Sequence, residues 1–260
     1  MTNTIHIKTL LGRRALKSHI NMNSPNDIIS PGVLTSGGTI TFGGIYGVEQ
    51  TNFALHWLAH MAVGESFLGM SPPRPLRVFY LQGRTEKQCI TAVKKLAGGN
   101  LIISSDADAL LHKGGTDKLS HSILCAFPNA RVDIIAIETI ESVESANKTR
   151  DMQDFERDKL EIVRKAVNPV CGIMLVRHMQ QQKEQDMLYE FREATYLSSC
   201  DIRMLSAGGH PTRRMLYFGL KNRAHNSRTI KPKLIDKVDS KWCEVSSDVV
   251  RKKWQRRSDG

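Results

Sequence analysis

The chain lacks the features that would place it outside the cell or in a membrane. Its five cysteines, Cys89, Cys125, Cys171, Cys200 and Cys243, are odd in number and form no C-x-x-C pair. That argues against a disulfide framework or a zinc ribbon, and their mostly apolar neighbours make them expected reduced residues of the core. No unbroken apolar run approaches the roughly 20 residues a helix needs to cross a bilayer, so no membrane partner is expected. The opening stretch, MTNTIHIKTLLGRRALKSH, has no apolar segment followed by small residues, and the expected location is cytoplasmic. Internal repeats and low-complexity tracts are also missing.

What is present fits one ordinary globular domain with an appendage. The 260 residues are 40% hydrophobic and 24% charged, enough apolar content to build a core and too much for a disordered chain. Lys and Arg number 37 against 26 Asp and Glu, giving a net charge of +11 and a pI near 9.6. This surplus favours polyanionic partners, DNA among them, and says nothing about fold.

Residues 1–27 read as a polar N-terminal arm, 28–226 as the core and 227–260 as a basic, peripheral extension ending in Arg251-Lys252-Lys253-Trp254-Gln255-Arg256-Arg257. Within the core, Gly37 to Phe42 reads as a strand, Gly43 to Gly47 as a glycine-rich turn and Thr51 to Val63 as a helix. The Pro72-Pro73-Arg74-Pro75 break precedes a strand at Val78 to Leu81 and a helix around Lys87 to Leu96. A β-branched run at Val132 to Ile137, an amphipathic helix at Asp151 to Val167 and a strand at Gly172 to Val176 follow. Asp201 to Leu205 and Met215 to Leu220 form an expected hairpin through Gly208-Gly209-His210-Pro211. Apolar runs separated by helices imply a parallel sheet covered on both faces.

The sharpest local signal is Gly44-Ile45-Tyr46-Gly47-Val48-Glu49-Gln50-Thr51, between a strand and a helix, where a phosphate loop G-x-x-x-x-G-K-[ST] would lie. Gly44 matches the first glycine and Thr51 the magnesium hydroxyl, but Glu49 replaces the second glycine and Gln50 the lysine. Losing a charge-assisted bond costs about 1.5 to 3 kcal/mol. A carboxylate some 5 Å from a phosphate charge adds roughly 3 kcal/mol of repulsion at an effective dielectric near 20. Together they would weaken a micromolar nucleotide by about three to four powers of ten unless Glu49 turns outward. The competing reading is an ordinary strand-to-helix turn without a ligand.

The order of these pieces resembles RecA-like ATPases, particularly hexameric plasmid helicases of the RepA type and DnaB-type helicases. The resemblance covers about residues 28–226. It is carried by Pro31-Gly32-Val33-Leu34, Gly37-Gly38-Thr39, Leu55 to Leu68, Val78 to Leu81, Ile134 to Ile140, Met174 to His178 and Lys221-Asn222-Arg223. It implies an α/β fold: a mainly parallel, twisted RecA-like sheet flanked by helices, with a C-terminal antiparallel hairpin. It implies ATP and Mg2+ as cofactors, with Thr51 and Glu138 the metal-holding pair and Gly44, Gly47, Glu49, Gln50 and Thr51 the nucleotide loop. Arg84 stands where the family has its catalytic glutamate, Glu138 where the magnesium-shell aspartate lies, and His178 at the polar residue closing the next strand. Lys221 and Arg223 match the cations that reach into a neighbouring subunit's nucleotide, which implies a homo- or hetero-oligomer of RecA-like subunits.

Residues acting on the chain's own nucleotide are therefore altered, while those acting on a neighbour's survive. The leading expectation is a protein of plasmid or phage DNA replication, recombination or repair with a weak or inactive ATP site. One alternative is a working, divergent ATPase or helicase in which Arg84 replaces the loop lysine; another is a noncatalytic DNA-binding or scaffold protein. The loop from Met179 to Thr195 carries Lys183 and Arg192 against four carboxylates and would repel phosphates, so the expected DNA contact is Arg251, Lys252, Lys253, Trp254, Arg256 and Arg257. His56 and His60 share a helix face, but no acid lies between them where a zincin would place one, and packing is the expected role.

Overall fold

A computed structural model describes residues 25–45, 49–82, 87–105, 114–139, 150–179, 200–207, 210–220, 230–238 and 241–245. A short antiparallel pair, β1 (Asp27–Ile29) and β2 (Leu34–Thr35), precedes the main sheet. The main elements are β3 (Thr39–Ile45), α1 (Gln50–Val63), β4 (Val78–Leu81), α2 (Lys87–Ala97), β5 (Leu101–Ser104), α3 (Gly115–Ala126), β6 (Ile134–Thr139), α4 (Arg150–Val167) and β7 (Gly172–Met179). Four antiparallel-linked strands follow: β8 (Cys200–Ser206), β9 (Arg214–Leu220), β10 (Lys233–Val238) and β11 (Lys241–Glu244).

Nine strands form one sheet in the order β11-β10-β9-β8-β3-β7-β6-β4-β5. From β8 to β5 every neighbouring pair is parallel, and α1 to α4 are the crossovers that link β3, β4, β5, β6 and β7; β9, β10 and β11 then alternate in direction. This is the mainly parallel, helix-flanked sheet with an antiparallel C-terminal region that the sequence leads one to expect. One difference lies at the C-terminal side. The segment after residue 226 was expected as a peripheral extension, yet β10 and β11 continue the sheet itself. KLIDKV and KWCE are half charged, and their buried residues, Ile235 and Trp242, are too sparse to announce strands. β5 and α3 also lacked a clear sequence signal.

Period-2 alternation divides the core in two. Ile40, Phe42, Tyr80, Ala136, Met174, Val176 and Met204 face α1 and α2, whereas Phe79, Leu81, Ile135, Ile137 and Leu175 face α3 and α4. At the centre of the first face, Phe53 of α1 stacks on Phe42 at 5.3 Å and meets Phe67 and Trp242 edge-on at 5.2 and 5.4 Å. Trp242 comes from the outer strand β11, so the last strand of the sheet also packs against α1. The helix ends where Gly64 turns left-handed: its N–H and that of Glu65 donate back to Met61 and His60. Of the cysteines, Cys171 and Cys200 are buried as expected, and burial pushes the Cys171 thiol up to about 12; Cys125 and Cys243 are exposed instead.

Two expected outcomes test this packing. A Cβ on Gly172 would lie 2.8 Å from Leu34 Cγ, too close for any side chain without movement of β2. Gly172→Ala should cost about 1–3 kcal/mol, read as a lower urea midpoint at unchanged slope. Burial, then the charges of His60 and Lys237, hold His56 below its ordinary 6.5. The unfolded chain therefore binds this proton at a pH where the folded one does not, so stability falls as pH drops from about 6.5 through the folded value. The fall in melting temperature between pH 7.5 and 5.5 should be smaller in His56→Gln.

Candidate functional site

The carboxyl ends of the parallel strands form the edge where open α/β sheets bind ligands. β3 delivers Gly43 and Gly44 there and α1 begins at the same edge; the intervening 46–48, with Gly47, lie outside the described residues. Gly43 is a glycine for a steric reason. Arg203, its register partner on β8, lies across it, and a Cβ would sit 2.5 Å from Arg203 Nη1. That guanidinium pairs with Asp201 at 3.1 Å, both side chains almost wholly buried.

Glu49 adopts φ 57° and ψ 30°, left-handed backbone that costs a side-chain-bearing residue roughly 1–2 kcal/mol. It occupies the position of the motif's second glycine. The carboxylate is paired: Lys237 Nζ of β10 donates to both its oxygens at 3.1 Å. The repulsion expected from an unpaired Glu49 is therefore reduced by a cation that sequence reading did not find. No local signal could have found it, because Lys237 belongs to a polar stretch read as tail.

Gln50, 1% exposed, folds inward. Its amide donates to Gly44 O at 2.8 Å and Arg177 O at 3.2 Å, joining the start of α1 to β3 and β7. A neutral amide with carbonyl partners is tolerated in this position; a lysine would bring a charge into it. One residue on, Thr51 Oγ1 donates to Glu138 Oε1 at 2.5 Å. Glu138 comes from the carboxyl end of β6 and is 2% exposed.

Two implied cofactors therefore meet different fits. A hydroxyl and a carboxylate side by side are the hard oxygen donors Mg2+ takes, so Thr51 and Glu138 fit a metal of that kind. The terminal oxygens of ATP find no loop cation, since Gln50 is neutral and engaged with carbonyls. The described residues by themselves do not fit a tightly held triphosphate. Among the described residues no group of three or more His, Cys, Asp or Glu could hold a metal by itself. His60 instead contacts Glu65 Oε2 at 3.1 Å and lies against Phe67.

The outer strands complete this edge. Trp242 Nε1 donates to Asn52 Oδ1 at 3.1 Å, and Lys237 Nζ stands 5.9 Å from the Trp242 ring centre. The strand of His178 pairs with Gly44, but the His178 side chain lies outside the described residues, as do Arg84, Lys221, Arg223 and Arg251 to Arg257. β9, which leads to Lys221 and Arg223, runs antiparallel and ends with Leu220 opposite Cys200, which in turn pairs with Ile40. That is the edge of the sheet opposite Gly44.

No family model matches the chain, and no curated protein matches it in sequence. Solved structures do match in shape. A KaiC-like protein from Pyrococcus horikoshii aligns at TM-score 0.49 and 11% identity, over 86% of this chain and 95% of the other. The RadB recombinase aligns at TM-score 0.53 and 11% identity, covering 82% of this chain and 93% of the recombinase, and the chain shares its fold, a RecA-like α/β sheet flanked by helices.

Proposed function

We propose that this chain is a RecA-fold protein of plasmid or phage DNA replication, recombination or repair whose own ATP site is weak or inactive. The observation that carries this reading is the inward fold of Gln50, whose amide closes on Gly44 O and Arg177 O where a phosphate-gripping lysine is needed. Arg84, a cation at the place of the catalytic glutamate, would not polarise an attacking water. The likeness to a recombinase structure supports a DNA-linked role, and the net charge of +11 suits a polyanionic partner.

Lys221 and Arg223 follow a strand that leaves the Gly44 edge, so they suit service to a neighbour better than to this chain's own loop. An oligomer of RecA-like subunits, with this chain completing or occupying an interface, accommodates both facts. The Thr51–Glu138 contact favours a second reading, a working but divergent ATPase, because the donors of a magnesium site stand together.

Phosphate release in the presence of single-stranded DNA separates the two. On the first reading turnover is no greater than in a Thr51→Ala variant; turnover that disappears in that variant establishes the second. A ligand held with a millimolar constant adds only about 0.4 kcal/mol at an equal concentration. One millimolar MgATP should therefore raise the melting temperature by no more than about 1–2 °C. For the DNA contact, removal of residues 250–260 should abolish the salt-dependent binding of single strands, measured by fluorescence anisotropy across a salt series.

A further inference from the structure

Two cations supplied by the outer strands stand on the α1 side of the sheet at its ligand edge. Arg214 opens β9 and Lys237 lies near the end of β10. Arg214 pairs in register with Ile235, two residues before Lys237, which makes the two cations diagonal neighbours about 7–8 Å apart on one face. Ile235 and Leu216 belong to the core against α1, and the alternation of each strand turns Arg214 and Lys237 the same way.

Their charges are treated differently. Lys237 is held by both oxygens of Glu49. Arg214 is 8% exposed, and its Nη1 donates to the carbonyls of Pro211 and Arg213 at 2.7 and 2.8 Å. Its Nε is buried without a hydrogen-bond partner, and among the described residues no carboxylate pairs with it. The other nearby acid, Asp236, lies on the opposite face and is occupied by Thr212 and Arg213. A buried guanidinium without a counter-ion calls for an anion. Among the described residues the pair therefore has one carboxylate for two positive charges, and that carboxylate belongs to Glu49, at the motif position of a loop glycine.

We infer that Lys237 and Arg214 form a site for the oxygens of a pyrophosphate group, built from the C-terminal strands, and that Glu49 is its internal occupant. The inference rests on reading the Glu49 turn as an altered nucleotide loop. The Glu49 carboxylate stands in for the phosphate and holds the site shut. A pyrophosphate-bearing ligand must displace it, which weakens binding in the unmodified chain. Trp242, bonded to Asn52 and packed edge-on against Phe53, keeps β10 and β11 against α1, so release of Glu49 does not require the strands to leave.

Calorimetric titration of the full chain with inorganic pyrophosphate tests this. Glu49→Gln and Glu49→Gly should each bind at least tenfold tighter than the unmodified chain. The glycine also suits the left-handed backbone, and the glutamine keeps a long side chain there, so a folding defect in one leaves the other. Adding Lys237→Met to either variant should abolish the gain. No gain in either variant, or a gain that survives Lys237→Met, overturns the proposal. Single-stranded DNA affinity should not change in Glu49→Gln; an equal gain there would overturn the assignment to a small polyphosphate. These readouts concern variants and pyrophosphate, whereas the weak-site reading is decided by MgATP turnover in the unmodified chain, so either can fail alone.

Discussion

The carboxamide of Gln50 ties the first turn of α1 to two strands at once. Hydrogen bonds to Gly44 O and Arg177 O fix where α1 begins, and from that start the following residues acquire their positions. Thr51 is brought to Glu138, Asn52 to Trp242, and Phe53 into the aromatic cluster over β3. A lysine in the same place would carry its charge toward a ligand. The glutamine uses its polar end on the protein's own backbone.

The neighbouring substitution has the same character. Left-handed backbone at Glu49 is a geometry glycine adopts without penalty, and the chain keeps it despite a side chain. The ion pair with Lys237 is partly exposed, so it contributes at most about 1 kcal/mol and does not by itself explain why a costly conformation is retained. The packing of α1 between β3 and the outer strands explains it better: the helix cannot shift without disturbing Phe53, Phe67 and Trp242 together.

Much of the parallel half was legible in the sequence for a simple reason. β4, β6 and β7 are buried on both faces and read as unbroken apolar runs, while α1 and α4 lie between recognisable turns. β10 and β11 were not legible, because half of their residues are charged and each buries a single residue, Ile235 or Trp242. The candidate site divides along the same line. Thr51 and Glu138 could be named from motif spacing. The partner of Glu49 could not, since a contact between residues 188 apart leaves no trace in local pattern. The side-chain directions of Glu49 and Gln50 are likewise set by neighbours distant in sequence.

The separation of 190 residues between Asn52 and Trp242 has a bearing on assembly. Local contacts form early, and those that must close a long loop form late. During synthesis α1 emerges well before the strand that covers it, leaving Phe53 incompletely shielded for most of the elongation time. The aromatic surface of α1 is closed only when β11 arrives with Trp242.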